Sequence, residues 1–121
     1  MKTLAIALVL SSIASAALAE GAGLRIAQIE MPHHAAEARV AIWYPRGAGG
    51  SPTVYADNPV FVGVEAFVDA EPAAGAFPVV LFSHGMGGTD GAQAWLGEAL
   101  AALGAMVVMM NLPNSTWGIS T

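Results

Sequence analysis

The sequence predicts an α/β fold, and three observations carry that prediction. Pro78-Val79-Val80-Leu81-Phe82 is an uninterrupted apolar run, as expected of a parallel strand buried on both faces. Ala92, Trp95, Leu96, Ala99, Leu100 and Leu103 then recur at spacings of three and four, which marks one apolar face of an amphipathic helix. Residues 105–110 are again wholly apolar. A strand over 78–83, a helix over 91–103 and a strand over 105–110 compose one βαβ unit of about thirty residues, whose crossover is expected to be right-handed. Antiparallel strands are expected before it.

The first residues read as a secretory signal, assigned to 1–19. Lys2 supplies the positive start, residues 4–10 are continuously apolar, and Ala17-Leu18-Ala19 gives the small-x-small pattern before a cleavage site. The apolar run is too short for a membrane span, which needs roughly 20 residues. No stable membrane anchor is therefore expected, and the chain is placed in the periplasm or outside the cell. Residues 20–121 form the rest, read as one portion of a single domain.

Within it, residues 24–29 alternate weakly and predict a short strand. Arg39-Val40-Ala41-Ile42-Trp43-Tyr44 predicts a stronger one, rich in β-branched and aromatic residues, with Pro45 as its stop. Gly47-Ala48-Gly49-Gly50-Ser51-Pro52 reads as a loop. Residues 60–68 fit a strand or a helical stripe equally, and Glu71-Pro72-Ala73-Ala74-Gly75 reads as a connector. For the helix, Asp90 is placed to cap the N-terminus, with Gln93 completing a capping-box pattern, and Gly104 is the C-terminal stop.

Composition narrows the function classes. With 55% hydrophobic and 11% charged residues, the chain is expected to fold around a core. The net charge is −5, and the four basic residues, Lys2, Arg25, Arg39 and Arg46, are scattered, so nucleic acid is not an expected partner. The absence of cysteine removes disulfides, thiolate-bound zinc and thiol catalysis. His33-His34, with Glu30 and Glu37 nearby, has no HExxH spacing and reads as a solvated loop; no metal or other cofactor is expected.

The segment that points to chemistry is Ser83-His84-Gly85-Met86-Gly87-Gly88, between the apolar strand and the capped helix. Loops at the C-terminal ends of parallel strands are where such sheets build their sites. Glycines there present bare N–H groups to an anion, either a phosphate or a transient oxyanion. A phosphate loop of the Walker type would need a Lys after its last glycine, and a dinucleotide fingerprint would need a third glycine where Asp90 stands. The oxyanion reading is the one left.

Phe77-Pro78-Val79-Val80-Leu81-Phe82-Ser83-His84-Gly85-Met86-Gly87-Gly88 resembles the first active-site strand and oxyanion loop of α/β-hydrolases, in the branch of dienelactone hydrolase and platelet-activating-factor acetylhydrolase-like enzymes. Ala41-Ile42-Trp43-Tyr44-Pro45 is similar to that family's "WYP" strand end. Residues 95–104 resemble its W-L-x-x-x-L-A-x-x-G helix, and Asn111-Leu112-Pro113-Asn114-Ser115-Thr116 the loop after its next strand. The resemblance runs over residues 39–118. It implies that the backbone N–H of Met86, with Gly87, donates to the oxyanion of a tetrahedral intermediate, and that His84, Gly85 and Gly88 support the loop. Leu112 stands where many relatives carry a histidine.

The rest of the implied machinery is a Ser nucleophile on a G-x-S-x-G elbow, followed by an acid and then a histidine. His84 precedes that whole order and is not expected to be the base. Gly118-Ile119-Ser120 is the one near match to the elbow, and it reads as a chance tripeptide. The resemblance thus implies the N-terminal portion of a serine-type ester or lactone hydrolase, ending before the nucleophile elbow, with a small ester or lactone as substrate, lacking the triad and inactive alone. The rival expectation is a non-catalytic periplasmic binding module, or a decayed remnant, holding an anion in the glycine loop; against it, no Lys or Arg lies between Gly47 and Thr121.

Overall fold

The computed structural model describes residues 21–116. The expected signal segment and the Gly118-Ile119-Ser120 tripeptide lie outside the described residues. Six strands form one mixed sheet: β1 (Ala22–Met31), β2 (Ala36–Pro45), β3 (Ser51–Tyr55), β4 (Val64–Val68), β5 (Val79–Ser83) and β6 (Met106–Asn111). Their order across the sheet is β3-β4-β1-β2-β6-β5. One helix, α1 (Ala94–Ala102), follows a single 3-10 turn at Asp90–Gln93. Among the described residues, no helix is long and apolar enough to cross a membrane.

β1 and β2 are a ten-residue hairpin in antiparallel register from Ala22↔Pro45 to Met31↔Ala36. Both are longer than their sequence patterns suggested, because the outer halves are held by pairing rather than by apolar content. Pro45 ends β2 as expected. His33 and His34 lie in the exposed turn between these strands, where a solvated loop was expected. Of residues 60–68, which read equally as strand or helix, the second half is β4, paired parallel to β1 and antiparallel to β3.

Strand β3 lies where a loop was expected to end. Ser51 and Pro52 look like loop residues locally, yet they pair with Val68 and Phe67. β3 is the edge of the sheet, and an edge strand tolerates a proline that cannot donate.

β5 and β6 pair in parallel, Val79↔Met106 through Ser83↔Met110, with the helix between them in sequence. The helix packs chiefly on β2 and β6, with further contacts to β1 and β4, rather than on β5. β5 is consequently not buried on both faces: Val79, Val80 and Leu81 are exposed, Leu81 at 72%. It is the other edge of the sheet; the face carrying Val79 and Leu81 is uncovered by the described residues, while Phe82 on the opposite face packs against the core.

The helix buries its expected face only in part: Leu96 and Leu100 pack against the core as expected. Ala94, Gly97 and Ala101 point inward, while Trp95 and Leu103 are 60% and 82% exposed. Trp43 decides this. Its indole, fully buried on β2, already fills the space under the helix, and a Cβ on Gly97 would stand only 2.5 Å from Trp43 Cδ1. Small residues let the helix seat against that ring, joined by Leu24, Val107 and Met109 in the core. Large ones on the same face would hold it off.

Both helix ends follow from capping chemistry, one of them not as expected. The N-terminal cap is Thr89, whose hydroxyl accepts from the Ala92 N–H at 3.3 Å, not Asp90. Gln93 makes no capping contact. At the other end Gly104, at φ +97°, donates to the Ala101 carbonyl while Ala105 donates to that of Leu100. That is a Schellman closure, and it needs the left-handed conformation glycine adopts freely.

Candidate active site

The loop from His84 to Thr89 leaves the C-terminal end of β5 and enters the 3-10 turn. A second loop, Leu112 to Thr116, leaves the adjacent end of β6. The two are laced together. Gly87 N–H donates to the Ser115 carbonyl at 2.7 Å, and Gly88 and Thr116 form an isolated parallel bridge. Inside the first loop, Gly88 N–H donates to the Gly85 carbonyl at 2.9 Å.

His84 is buried between the loops. Its Nδ1 lies 2.7 Å from the Gly85 carbonyl oxygen, which can only accept, so Nδ1 carries the proton. Nε2 is then an acceptor. It receives the Leu112 N–H at 3.3 Å and faces the Thr116 hydroxyl at 2.9 Å; that hydroxyl also lies 3.0 Å from the Leu112 carbonyl. Both ring nitrogens are therefore engaged in holding loops. Leu112, where many relatives carry a histidine, contributes its backbone N–H.

The glycines have different reasons for being there. Gly87 has φ +77°, a backbone conformation costly for other residues. Gly88 packs on His84, where a Cβ would lie 2.8 Å from His84 Cβ. Gly85 has open space where a side chain would project. Met86 extends its side chain into solvent, 95% exposed, and its backbone N–H has no acceptor among the described residues. In this arrangement the Gly87 N–H is spent on Ser115, so the expected donor pair reduces to Met86. A hollow of about 300 Å³, lined by Met86, Gly87, Asn114, Ser115 and Thr116, opens beside it.

Behind the loop sits a polar cluster that sequence reasoning missed. The Asp90 carboxylate, buried at the start of the 3-10 turn, accepts from Arg39 Nη1 at 2.9 and 2.8 Å, from Asn111 Nδ2 at 2.6 Å, and from the Tyr55 hydroxyl in a short contact. Arg39 Nη2 donates in turn to the Tyr55 oxygen at 2.9 Å, and Asp90 N–H donates to Asn111 Oδ1 at 2.7 Å. The Asp90 and Ala92 amides of the turn are thus used internally and not offered to an anion. Burial pushes the Tyr55 hydroxyl up to about 12, reinforced by its donation to Asp90. Burial by itself would lower the Arg39 value, but Tyr55 and Asp90 outweigh it and the guanidinium is held above its ordinary value. The one hint in the sequence was a lone Asp at a helix start, which local capping explains too easily.

Among the described residues, no group of three or more His, Asp or Glu side chains is arranged to hold a metal ion. No triad is assembled among them either. His84 is the histidine buried beside the glycine loop, and its nitrogens are occupied as described.

No family model and no curated protein matches the sequence. Among solved structures, the chain is similar to a ferulic acid esterase from Streptomyces cinnamoneus, with a TM-score of 0.69 and 23% sequence identity. The match covers 86% of this chain and 37% of the esterase chain. At that identity the likeness establishes a shared fold alone, and the chain spans little more than a third of the esterase chain's length.

Proposed function

We propose that this chain supplies the oxyanion-loop side of an exported serine-type ester or lactone hydrolase of the dienelactone hydrolase kind. The nucleophile, acid and base would come from polypeptide outside residues 1–121. The observation that carries the reading is the Met86 N–H, which lacks an acceptor among the described residues and sits on a laced glycine loop at the C-terminal end of a parallel strand. An amide held in that way costs no reorganisation when an oxyanion forms, and one such donor is worth a factor of about 100 to 1,000 in rate. The esterase fold neighbour and the loop's sequence resemblance support the same reading. Export rests on the composition of residues 1–19.

Hydrolysis of p-nitrophenyl acetate tests it. The 121-residue chain should turn over no faster than its Gly85→Asp variant. Asp fits there sterically but sets a negative charge beside the donor. Turnover above that control would contradict the proposal that the triad lies elsewhere.

A further inference from the structure

We propose that the hollow between the β1–β2 turn and the 112–116 loop receives one substituent of the ester, and that it selects a substituent without charge. The proposal rests on reading Met86 as the oxyanion donor and adds a substrate class to that reading.

The turn builds one wall of the hollow. His34 N–H donates to the Met31 carbonyl at 2.9 Å and Ala35 stands at φ +47°, which closes the hairpin with Met31 half-buried at its root. Met31 and His34 then line, with Leu112, Pro113 and Ser115, a hollow of about 210 Å³. Ser115 also lines the hollow of about 300 Å³ beside Met86, so the two adjoin at that residue. An ester whose carbonyl oxygen reaches the Met86 N–H can run one substituent past Ser115. The lining is mostly apolar, with one imidazole and one hydroxyl, the mixture that small-molecule sites share. An apolar cavity of about 150 Å³ holds a benzene ring, so a single ring or a short chain fits here.

Charge sets the class. Among the described residues the permanent cations are Arg25, Arg39 and Arg46, and none of them lines either hollow. Arg25 pairs with Asp69 at 3.5 Å, Arg39 is taken up by Asp90 and Tyr55, and Arg46 lies over the Phe67 ring at 3.4 Å. Acidic side chains flank the turn instead. Glu30 and Glu37 stand opposite each other in the β1–β2 register and line a neighbouring hollow together with Met31. A carboxylate on the substituent would lose water beside like charges and gain no positive partner.

Methyl NMR of isotope-labelled methionines in the full chain tests this, because Met31 and Met86 report the two hollows separately. The probes are methyl benzoate and monomethyl terephthalate, the same ring with an added carboxylate, at about pH 8 so that imidazole carries no charge. Methyl benzoate should move both methyl signals along one binding curve. Monomethyl terephthalate should bind roughly threefold more weakly, and added salt should shrink that difference. His34→Arg, in the exposed turn, should reverse the preference, whereas Thr53→Arg, with the same added charge on the β3 edge, should not. Should His34→Arg fail to fold, the two probes on the wild type decide alone. Movement of Met86 without Met31 overturns the proposal and leaves the oxyanion reading standing. Movement of Met31 without Met86, or of neither, also overturns it, and the turnover test then decides the oxyanion reading by itself. Equal or tighter binding of the charged probe to the wild type, or a folded His34→Arg variant that behaves like Thr53→Arg, overturns the charge selection.

Discussion

Both carboxylate oxygens of Asp90 lie within 2.9 Å of one nitrogen, Nη1 of Arg39, across 51 residues of sequence. This pair joins β2 to the first turn after the glycine loop, and Asn111 and Tyr55 extend it to β6 and β3. Asp90→Asn keeps the shape but removes the charge that Arg39 and Tyr55 are arranged around. Breaking a wholly buried pair costs about 3–5 kcal/mol; with Arg39 partly in water, a loss of about 2–4 kcal/mol is expected in urea denaturation. A loss below about 0.5 kcal/mol, the level of an ordinary surface substitution, would show that the cluster is not holding these elements together.

The same cluster sets an alkaline limit. The Tyr55 hydroxyl has a folded value of about 12 against an ordinary value of 10.0. Between those values the folded state holds a proton that the unfolded state has released. The contribution is full below pH 10 and is lost as pH rises through about 12. Stability should fall over that window, and Tyr55→Phe should make the fall shallower. Tyr44, also raised by burial and bonded to the Ala70 carbonyl, accounts for part of the remainder. Equal slopes in wild type and Tyr55→Phe would place the Tyr55 proton outside the folding equilibrium.

The uncovered strand β5 should govern solution behaviour. Its backbone edge is unpaired among the described residues, and Val79 and Leu81 are exposed on one face. Such an edge invites association with other chains. The chain alone should be folded but poorly soluble, and Leu81→Lys should raise the soluble fraction without lowering the melting temperature. An unmodified chain that stays monomeric and soluble at concentrations where Leu81→Lys shows no advantage would be the contrary result.

Much of this architecture is legible from local pattern, and the departures share one cause. The β-branched stretch around Val40 and Ile42 and the apolar run of residues 105–110 announce strands without help from the rest of the chain. The helix also announces itself, but its buried face only in part, since Leu96 and Leu100 pack inward as expected while Trp95 and Leu103 do not. That choice was made by Trp43, some fifty residues away, which leaves room for Gly97 and none for Trp95. Ser51 and Pro52 became a strand only because β4 was there to pair with them. Asp90 shows the same thing at the site: local rules make it a cap, whereas Arg39 and Tyr55 draw its carboxylate inward and leave capping to Thr89. The glycine loop was visible as a candidate oxyanion site. That Gly87 gives its N–H to Ser115, leaving Met86 as the open donor, depends on a loop almost thirty residues further on.

The most direct test of the central claim is to read the coding DNA through codon 121 and several hundred bases beyond. If the chain is the oxyanion-loop side of a serine hydrolase, the frame continues, or resumes after a single-base shift, into a G-x-S-x-G elbow followed by an acid and a histidine. A genuine stop codon with no such motif downstream in any frame would contradict the account and leave this loop without a reaction to serve.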